Sequence, residues 1–293
     1  MQRREFITLI GGAAAWPVAA RAQQNIPRVG VLVVDGDDLV GPYRETLREL
    51  GYVEGKSIQI EVRSAQGQVN RLPELAAELV RNKVDVIIAS LTPAATAARP
   101  ATSDIPIVMA PAGDPIATGL ISSLARPGGN ITGVSGYAPE LGAKSLELIR
   151  EFVPGARRVA YIRNANDPLA MVLLDQLQQG GQRMSFAIHP EAIRTPGELE
   201  QAFAAIAREG ADAVILSGTL PIQVQVDLAV KHRLPTLQNQ SSTARAGALI
   251  SYSASQAERG RDVAGYVDKI LKGAKPAELP VQQPSKFELV VNL

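Results

Sequence analysis

The 293-residue sequence predicts an α/β protein of two Rossmann-like lobes joined by a multi-strand hinge. Three observations carry that prediction. Short β-branched runs alternate with segments of helical period, the pattern of βαβ units on a parallel sheet. The order of these segments occurs twice, "VDVIIAS" (84–90) being answered by "ADAVILS" (211–217) and "IPIVMAP" (105–111) by "LPTLQNQ" (234–240). Each copy then runs into a similar connecting strand, "GNITGVSG" (129–136) and "GALISYSAS" (247–255), so the chain is expected to cross between the lobes more than once. Two copies of so long a period exclude a solenoid.

The elements follow in order. "RVGVLVV" (28–34) reads as the first strand, with a helix around Pro42 to Leu50 after it. Gly51 and Gly55 punctuate, and Ser57 to Arg63 alternates as a second strand. Leu72, Leu75, Ala76, Leu79 and Val80 fall on one helical face, and strands three and four are 84–90 and 105–110. "ARPGGN" (125–130) is a turn leading into the short strand "ITGVSG". Leu141, Ser145, Leu148, Ile149 and Phe152 open the second copy as a helical face; "RRVAYIRNAND" (157–167) echoes "PRVGVLVVDGD" (27–37); a strand is expected at Ser185 to His189 and a helix on Leu199, Ala202, Phe203 and Ile206. A helix bearing Val263, Tyr266, Val267, Ile270 and Leu271 and a last strand, "FELVVN", finish the chain. The domain reading is an export signal at 1–22, lobe 1 at 27–136 plus 251–293, and lobe 2 at 137–250.

The first residues predict export. Arg3 and Arg4 precede an apolar stretch from Phe6 to about Ala15, and Ala20-Arg21-Ala22 is a site for signal peptidase, with cleavage after Ala22 into the periplasm. The arginine pair followed by Phe6 resembles a twin-arginine signal. The apolar run is shorter than the roughly 20 residues that span a bilayer, so the protein is not expected to be membrane-embedded. Without residues 1–22 the chain carries 27 basic and 28 acidic residues. That balance, with aromatic residues at 4%, argues against nucleic acid, which needs a basic face and stacking platforms. The absence of cysteine removes disulfides, thiolate metal sites and a thiol nucleophile.

Enzyme signatures are missing too: the sequence has no G-x-S-x-G, Walker, G-x-G-x-x-G or H-E-x-x-H motif, and its two histidines, His189 and His232, have no metal-ligand spacing. No cofactor is expected. Asp85 and Asp212 stand where strands begin, away from the crevice that open α/β sheets form beyond their carboxyl ends, and read as structural. The candidate ligand-binding residues are those at strand exits: Asp35, Gly36, Ser90, Thr92, Ala94, Asp114, Pro115, Asn164, Asp167, Gly218, Thr219, Gln238, Asn239 and Gln240, with Gly136 and Tyr137 at the crossing between lobes. Thr92 is expected to cap a helix that has Pro93 at its first position, leaving amides of the first turn free for a carboxylate. Each such charge-assisted bond contributes about 1.5–3 kcal/mol. Micromolar capture needs about −8 kcal/mol, so both lobes must close on the ligand. Asp114 or Asp167 is the expected acceptor for an ammonium group, each being followed by a proline (Pro115, Pro168) whose turn it alternatively caps.

The chain resembles the tryptophan/tyrosine-type substrate-binding proteins of ABC transporters, nearly end to end. The likeness rests on "RREFITLIGGAAAWPVAARAQQ", "LRELGYVEGKSIQIEVRSAQGQVNRLPELAAELVRNKVDVIIA", "GDPIATGLISSLARPGGNITGVS", "VPGARRVAY" and "YVDKILKGAKPAELPVQQPSKFELVVNL". The resemblance implies the type I periplasmic binding fold and a soluble receptor that delivers a small ligand, often an amino acid or related compound, to an inner-membrane ABC permease. By that analogy the contacts fall on Ser90, Thr92, Ala94 and Asp114 in the first lobe and near Asn164, Asp167 and Thr219 in the second. The alternatives are a ligand-sensing receptor subunit, or an enzyme on the same scaffold with Asp114 or Asp167 as its base.

Overall fold

Val29, Val31 and Val33 are buried on one side of the first strand and Leu32 on the other, because helices cover both faces of its sheet. In this computed structural model, residues 26–36, 40–136, 141–240 and 242–292 are described; the expected signal and Tyr137 lie outside them. Lobe 1 is built from β1 (Arg28–Val33), α1 (Val40–Glu49), β2 (Gln59–Ser64), α2 (Leu72–Arg81), β3 (Val86–Ala89), α3 (Leu91–Ala101), β4 (Ile107–Ala112) and β5 (Ile131–Ser135). Its strands form one parallel sheet in the order β2-β1-β3-β4-β5. Leu72, Leu75, Ala76 and Leu79 turn one stripe of α2 onto that sheet, the face their spacing predicts.

Lobe 2 contains α4 (Leu141–Phe152), β6 (Arg158–Asn164), α5 (Leu169–Met184), β7 (Ala187–Ile193), α6 (Leu199–Arg208), β8 (Ala213–Ile215), α7 (Ile222–Lys231), β9 (Thr236–Gln238), α8 (Ser242–Arg245) and β10 (Ile250–Ala254). With β11 (Phe287–Val291) its sheet runs β11-β10-β9-β8-β6-β7, so β7-β6-β8-β9-β10 repeats the lobe 1 order position for position. The two strand-start aspartates are part of the repeat. Asp85 accepts the Arg28 amide (2.7 Å), and Asp212 accepts the Arg157 and Arg158 amides (2.8 Å each), so each ties the turn before one strand to the start of its neighbour. Periodicity marks no helix over 169–184, where Gly180-Gly181 breaks the pattern. Both glycines are packing positions: a β-carbon on Gly181 would fall 2.8 Å from Ile188 Cγ1 and 2.9 Å from the Phe186 carbonyl.

The sheet assignment corrects the expected domain division. Residues 251–254 belong to β10, and β11 (Phe287–Val291) pairs antiparallel with β10, so both are in the lobe 2 sheet and not in lobe 1. Lobe 1 receives only α9 (Gln256–Leu271) and the chain to Gln282: Gly260 packs on Pro42, Thr132 donates to the Leu279 carbonyl, and Ser135 and Gln282 bond across β5. The chain therefore passes between lobes at 136–141, 254–256 and 282–287. A five-residue alternating strand is compatible with the edge of either sheet, and its partner is chosen by where the preceding loop delivers it.

Candidate functional site

The carboxyl ends of the two sheets face one another. Leu91 and Thr92 beyond β3, Pro111 and Gly113 at the end of β4, and Gly136 beyond β5 line a cavity of about 110 Å³ with Leu216 to Thr219 beyond β8 and Gln238 to Gln240 at the end of β9. That volume is several times the roughly 10–15 Å³ that one water needs, the scale of a small organic molecule. Leu141, Tyr161, Asp167, Leu169, Ala170, Leu173 and Arg259 complete the wall.

Arg259 is the side chain that sequence reading passes over. It sits in the first turns of α9 and is 9% exposed, carried into the cavity by the helix that lobe 1 takes from the end of the chain. Among the described residues its guanidinium has no hydrogen-bond acceptor; burial lowers its pKa from the usual arginine value, while Tyr43 and Glu288 act electrostatically to raise it. Arginine does not deprotonate in proteins, so a charged five-donor fork is held in a low-dielectric chamber. In "SQAERGRD" it reads as one more charge on a polar helix face, with no signal to separate it from Arg261.

Asp167 lines the same chamber. Its Oδ1 accepts the Leu169 amide (2.9 Å) and its Oδ2 accepts the Thr219 hydroxyl (3.1 Å), yet burial outweighs both bonds and pushes its pKa up to about 6. The loop carrying Thr219 is fixed from below. Gln225, fully buried, accepts the Ser217 amide and donates to the Ser217 and Leu220 carbonyls, and Asn164 donates to the Thr219 carbonyl. Gln238 Oε1 accepts the Thr243 hydroxyl and Asn239 Oδ1 accepts that of Ser145, which orients both amides.

Of the expected residues, Thr92, Gly136, Asp167, Gly218, Thr219, Gln238, Asn239 and Gln240 meet in this wall. Asp35 and Gly36 stand on an adjoining part of the cleft instead. Ser90, Ala94, Asp114, Pro115 and Asn164 are not in the wall. Ser90 is fully buried beside the Tyr43 hydroxyl, Ala94 is in the lobe 1 core, and Asn164 braces Thr219. Asp114 accepts the Ala117 amide (3.0 Å), capping its own turn ahead of buried Pro115, so the acid that reaches the cavity is Asp167.

The helix start also differs. Ser90 occupies the cap position of α3 without a side-chain cap bond, Leu91 is the first helical residue, and Thr92 Oγ1 accepts the Gly113 amide (2.9 Å). Pro93 falls third instead of first and supplies no donor there, so the amides of the first turn are those of Leu91 and Thr92 and not those of Ala94 and Ala95. Leu91 itself has φ +68, a left-handed conformation that costs a branched residue roughly 1–2 kcal/mol.

The lobes are in contact across the cleft. Leu169 lies on Gly113, where an added β-carbon would fall 2.2 Å from Leu169 Cδ2, and Pro221 lies on Gly67. A Gly113→Val substitution should therefore oppose closure by about 1–3 kcal/mol, weakening ligand binding roughly 5- to 150-fold. Calorimetry checks the affinity, and the ligand-free melting temperature, set within each lobe, should stay within about 2 °C of wild type. A large fall in that temperature would place the damage in lobe 1 instead.

Residues 31–293 match the family described as ABC transporter substrate binding protein. The chain belongs to that family. It is a solute-binding protein of an ABC transporter, and its fold is that of the type I periplasmic binding proteins. A curated relative, the tyrosine-binding protein of Clostridioides difficile (strain R20291), is 28% identical over 254 residues, 85% of this chain and 72% of that protein. The structure of the ABC domain from Streptococcus pneumonia in complex with L-Trp is 24% identical, covers 91% of this chain and 92% of its own, and superposes with a TM-score of 0.83. The ligand-free, open structure of a substrate binding protein with adhesive properties from Clostridium difficile, 25% identical with the same coverage, gives 0.61. Among the described residues no helix is long and apolar enough to cross a membrane, and no group of three or more His, Cys, Asp or Glu stands together as a metal site.

Proposed function

We propose that this solute-binding protein works in the periplasm, exported by residues 1–22, and captures a free α-amino acid as its zwitterion for an inner-membrane ABC permease. The observation that carries the reading is the pair Arg259 and Asp167 in one small interlobe chamber, a guanidinium without an acceptor among the described residues and a carboxylate in the opposite lobe. Arg259 takes the ligand carboxylate in a bidentate contact, Asp167 takes the ammonium, and Leu141, Leu169, Leu173 and Leu216 take an apolar side chain. Tyr161 is the one aromatic residue among the described wall residues, and the tyrosine-binding relative puts aromatic amino acids first among the candidates.

A thermal-shift panel of the free L-amino acids tests this. A ligand at a hundred times its dissociation constant adds about 2.7 kcal/mol, a rise of roughly 5–10 °C in melting temperature. The best ligand should lose at least about tenfold in affinity as its carboxamide, which Arg259 cannot grip, and as its deaminated acid, which leaves Asp167 unpaired. Equal binding of all three forms would overturn the zwitterion reading.

A further inference from the structure

The inner chamber is not the whole of the cleft. A second chamber of about 330 Å³ lies between the same lobes, with Asp35 on the lobe 1 side and Arg245 and Gln223 on the lobe 2 side. Leu91, Gly218 and Gln240 are the residues common to the two walls, so the boundary runs through them. Gly218 contributes no side chain, and the Gln240 amide is turned back onto the Gly218 carbonyl (3.4 Å). Among the described residues the side chains at the boundary are those of Leu91 and Gln240, and Leu91 is the apolar one.

We propose that Leu91 sets the length of ligand this receptor accepts, walling the inner chamber off from the outer one so that a free amino acid is held and a dipeptide is refused. The inference rests on the reading of the inner chamber as the amino-acid site. Its second support is the backbone: Leu91 is held at φ +68, where glycine is the residue of least strain, in a segment that otherwise carries small side chains (Ser90, Thr92, Ala94, Ala95). A branched side chain kept against that strain, at the boundary of two cavities, points to a wall. The chemistry beyond it suits the second residue of a peptide. A dipeptide would keep one charged terminus in the inner chamber and place the other outside it, where Asp35 faces an ammonium or Arg245 a carboxylate.

The test compares wild type with Leu91→Gly and Leu91→Ala by calorimetry, using the best free amino acid X and the dipeptides X-Gly and Gly-X. Wild type should prefer X to either dipeptide by about 100-fold or more. Leu91→Gly should reduce that preference below about tenfold by gaining dipeptide binding; relief of the left-handed backbone offsets part of the packing that Leu91 gives up against the lobe 1 core, and a ligand-free melt checks that the variant is folded. Leu91→Ala, which removes the wall and keeps the strained backbone, should move the preference in the same direction and guards against a folding defect in the glycine variant. Folded variants that keep the wild-type preference would overturn the assignment, as would a wild type that binds dipeptides as tightly as X. A wild type that binds no free amino acid overturns the zwitterion reading, and the assignment of Leu91 falls with it.

Discussion

Arg259→Met weakens amino-acid binding by roughly 30- to 5,000-fold and leaves the ligand-free protein at least as stable as wild type. The first half follows from the magnitude of a buried charge-assisted contact, whose truncation costs about 2–5 kcal/mol because the partner charge is left unpaired in the chamber. The second half has the opposite sign for the same reason. In the ligand-free protein the guanidinium is itself only partly compensated: it is 9% exposed, burial opposes its charge more than Tyr43 and Glu288 favour it, and no hydrogen-bond acceptor answers it among the described residues. Methionine fills the space of the stem without a charge to desolvate. Arg259→Lys keeps the charge and loses the bidentate fork, so its affinity should fall between the two. Calorimetric titration and thermal melts read both halves. A methionine variant that binds normally but melts several degrees lower would make Arg259 a structural residue of the α9 start.

Asp167→Asn produces the second large effect, and its sign depends on pH. The folded-state pKa is raised to about 6 from an ordinary 3.8, chiefly by burial. A group of this kind favours the folded state fully below the unfolded value and loses that contribution as pH rises through the folded one. At neutral pH the ionised carboxylate therefore costs the ligand-free protein about 1–3 kcal/mol, a tenfold change in acidity being equivalent to roughly 1.4 kcal/mol. The asparagine variant should melt about 2–8 °C higher than wild type at pH 7.5, and the difference should vanish near pH 4. Binding runs the other way. An ammonium ligand needs the ionised form, so wild-type affinity should fall as pH drops below about 6, by up to tenfold for each further pH unit, whereas the asparagine variant binds weakly and without that dependence. A wild-type affinity that stays flat from pH 7.5 to 5 would remove Asp167 from the ammonium site. If both variants behave as expected, the proposed recognition would be obtained at the expense of ligand-free stability at both charges of the chamber.

The double α/β pattern was legible because its cause is local. Strands with helices on both faces must be apolar throughout, as Val86 to Ala89 are, and helices on a sheet must be apolar on one stripe, as Leu199, Ala202, Phe203 and Ile206 are. The cleft was legible through the exit rule for parallel sheets, which brought Thr92, Gly218, Thr219 and the run from Gln238 to Gln240 to one place. Helix starts were less so. Thr92-Pro93 has the composition of a cap, and the turn out of β3 is completed two residues earlier than that composition indicates, with Leu91 absorbing the change of direction.

Asp114 and Asp167 each precede a proline and look alike as text. One closes its own turn through the Ala117 amide; the other accepts the nearby Leu169 amide and also the Thr219 hydroxyl, a partner 52 residues away that no local stretch could supply. By itself the sequence determined the layers, the repeat and the end of each sheet at which a ligand is bound, since all three follow from side-chain periodicity along short segments. Only the tertiary structure decided which charges enter the chamber and which sheet holds the last strand. Arg259 reaches the chamber because α9 leaves the lobe 2 sheet and packs on α1, so its surroundings depend on where a helix is docked, and docking is a property of two surfaces that no single stretch of residues contains.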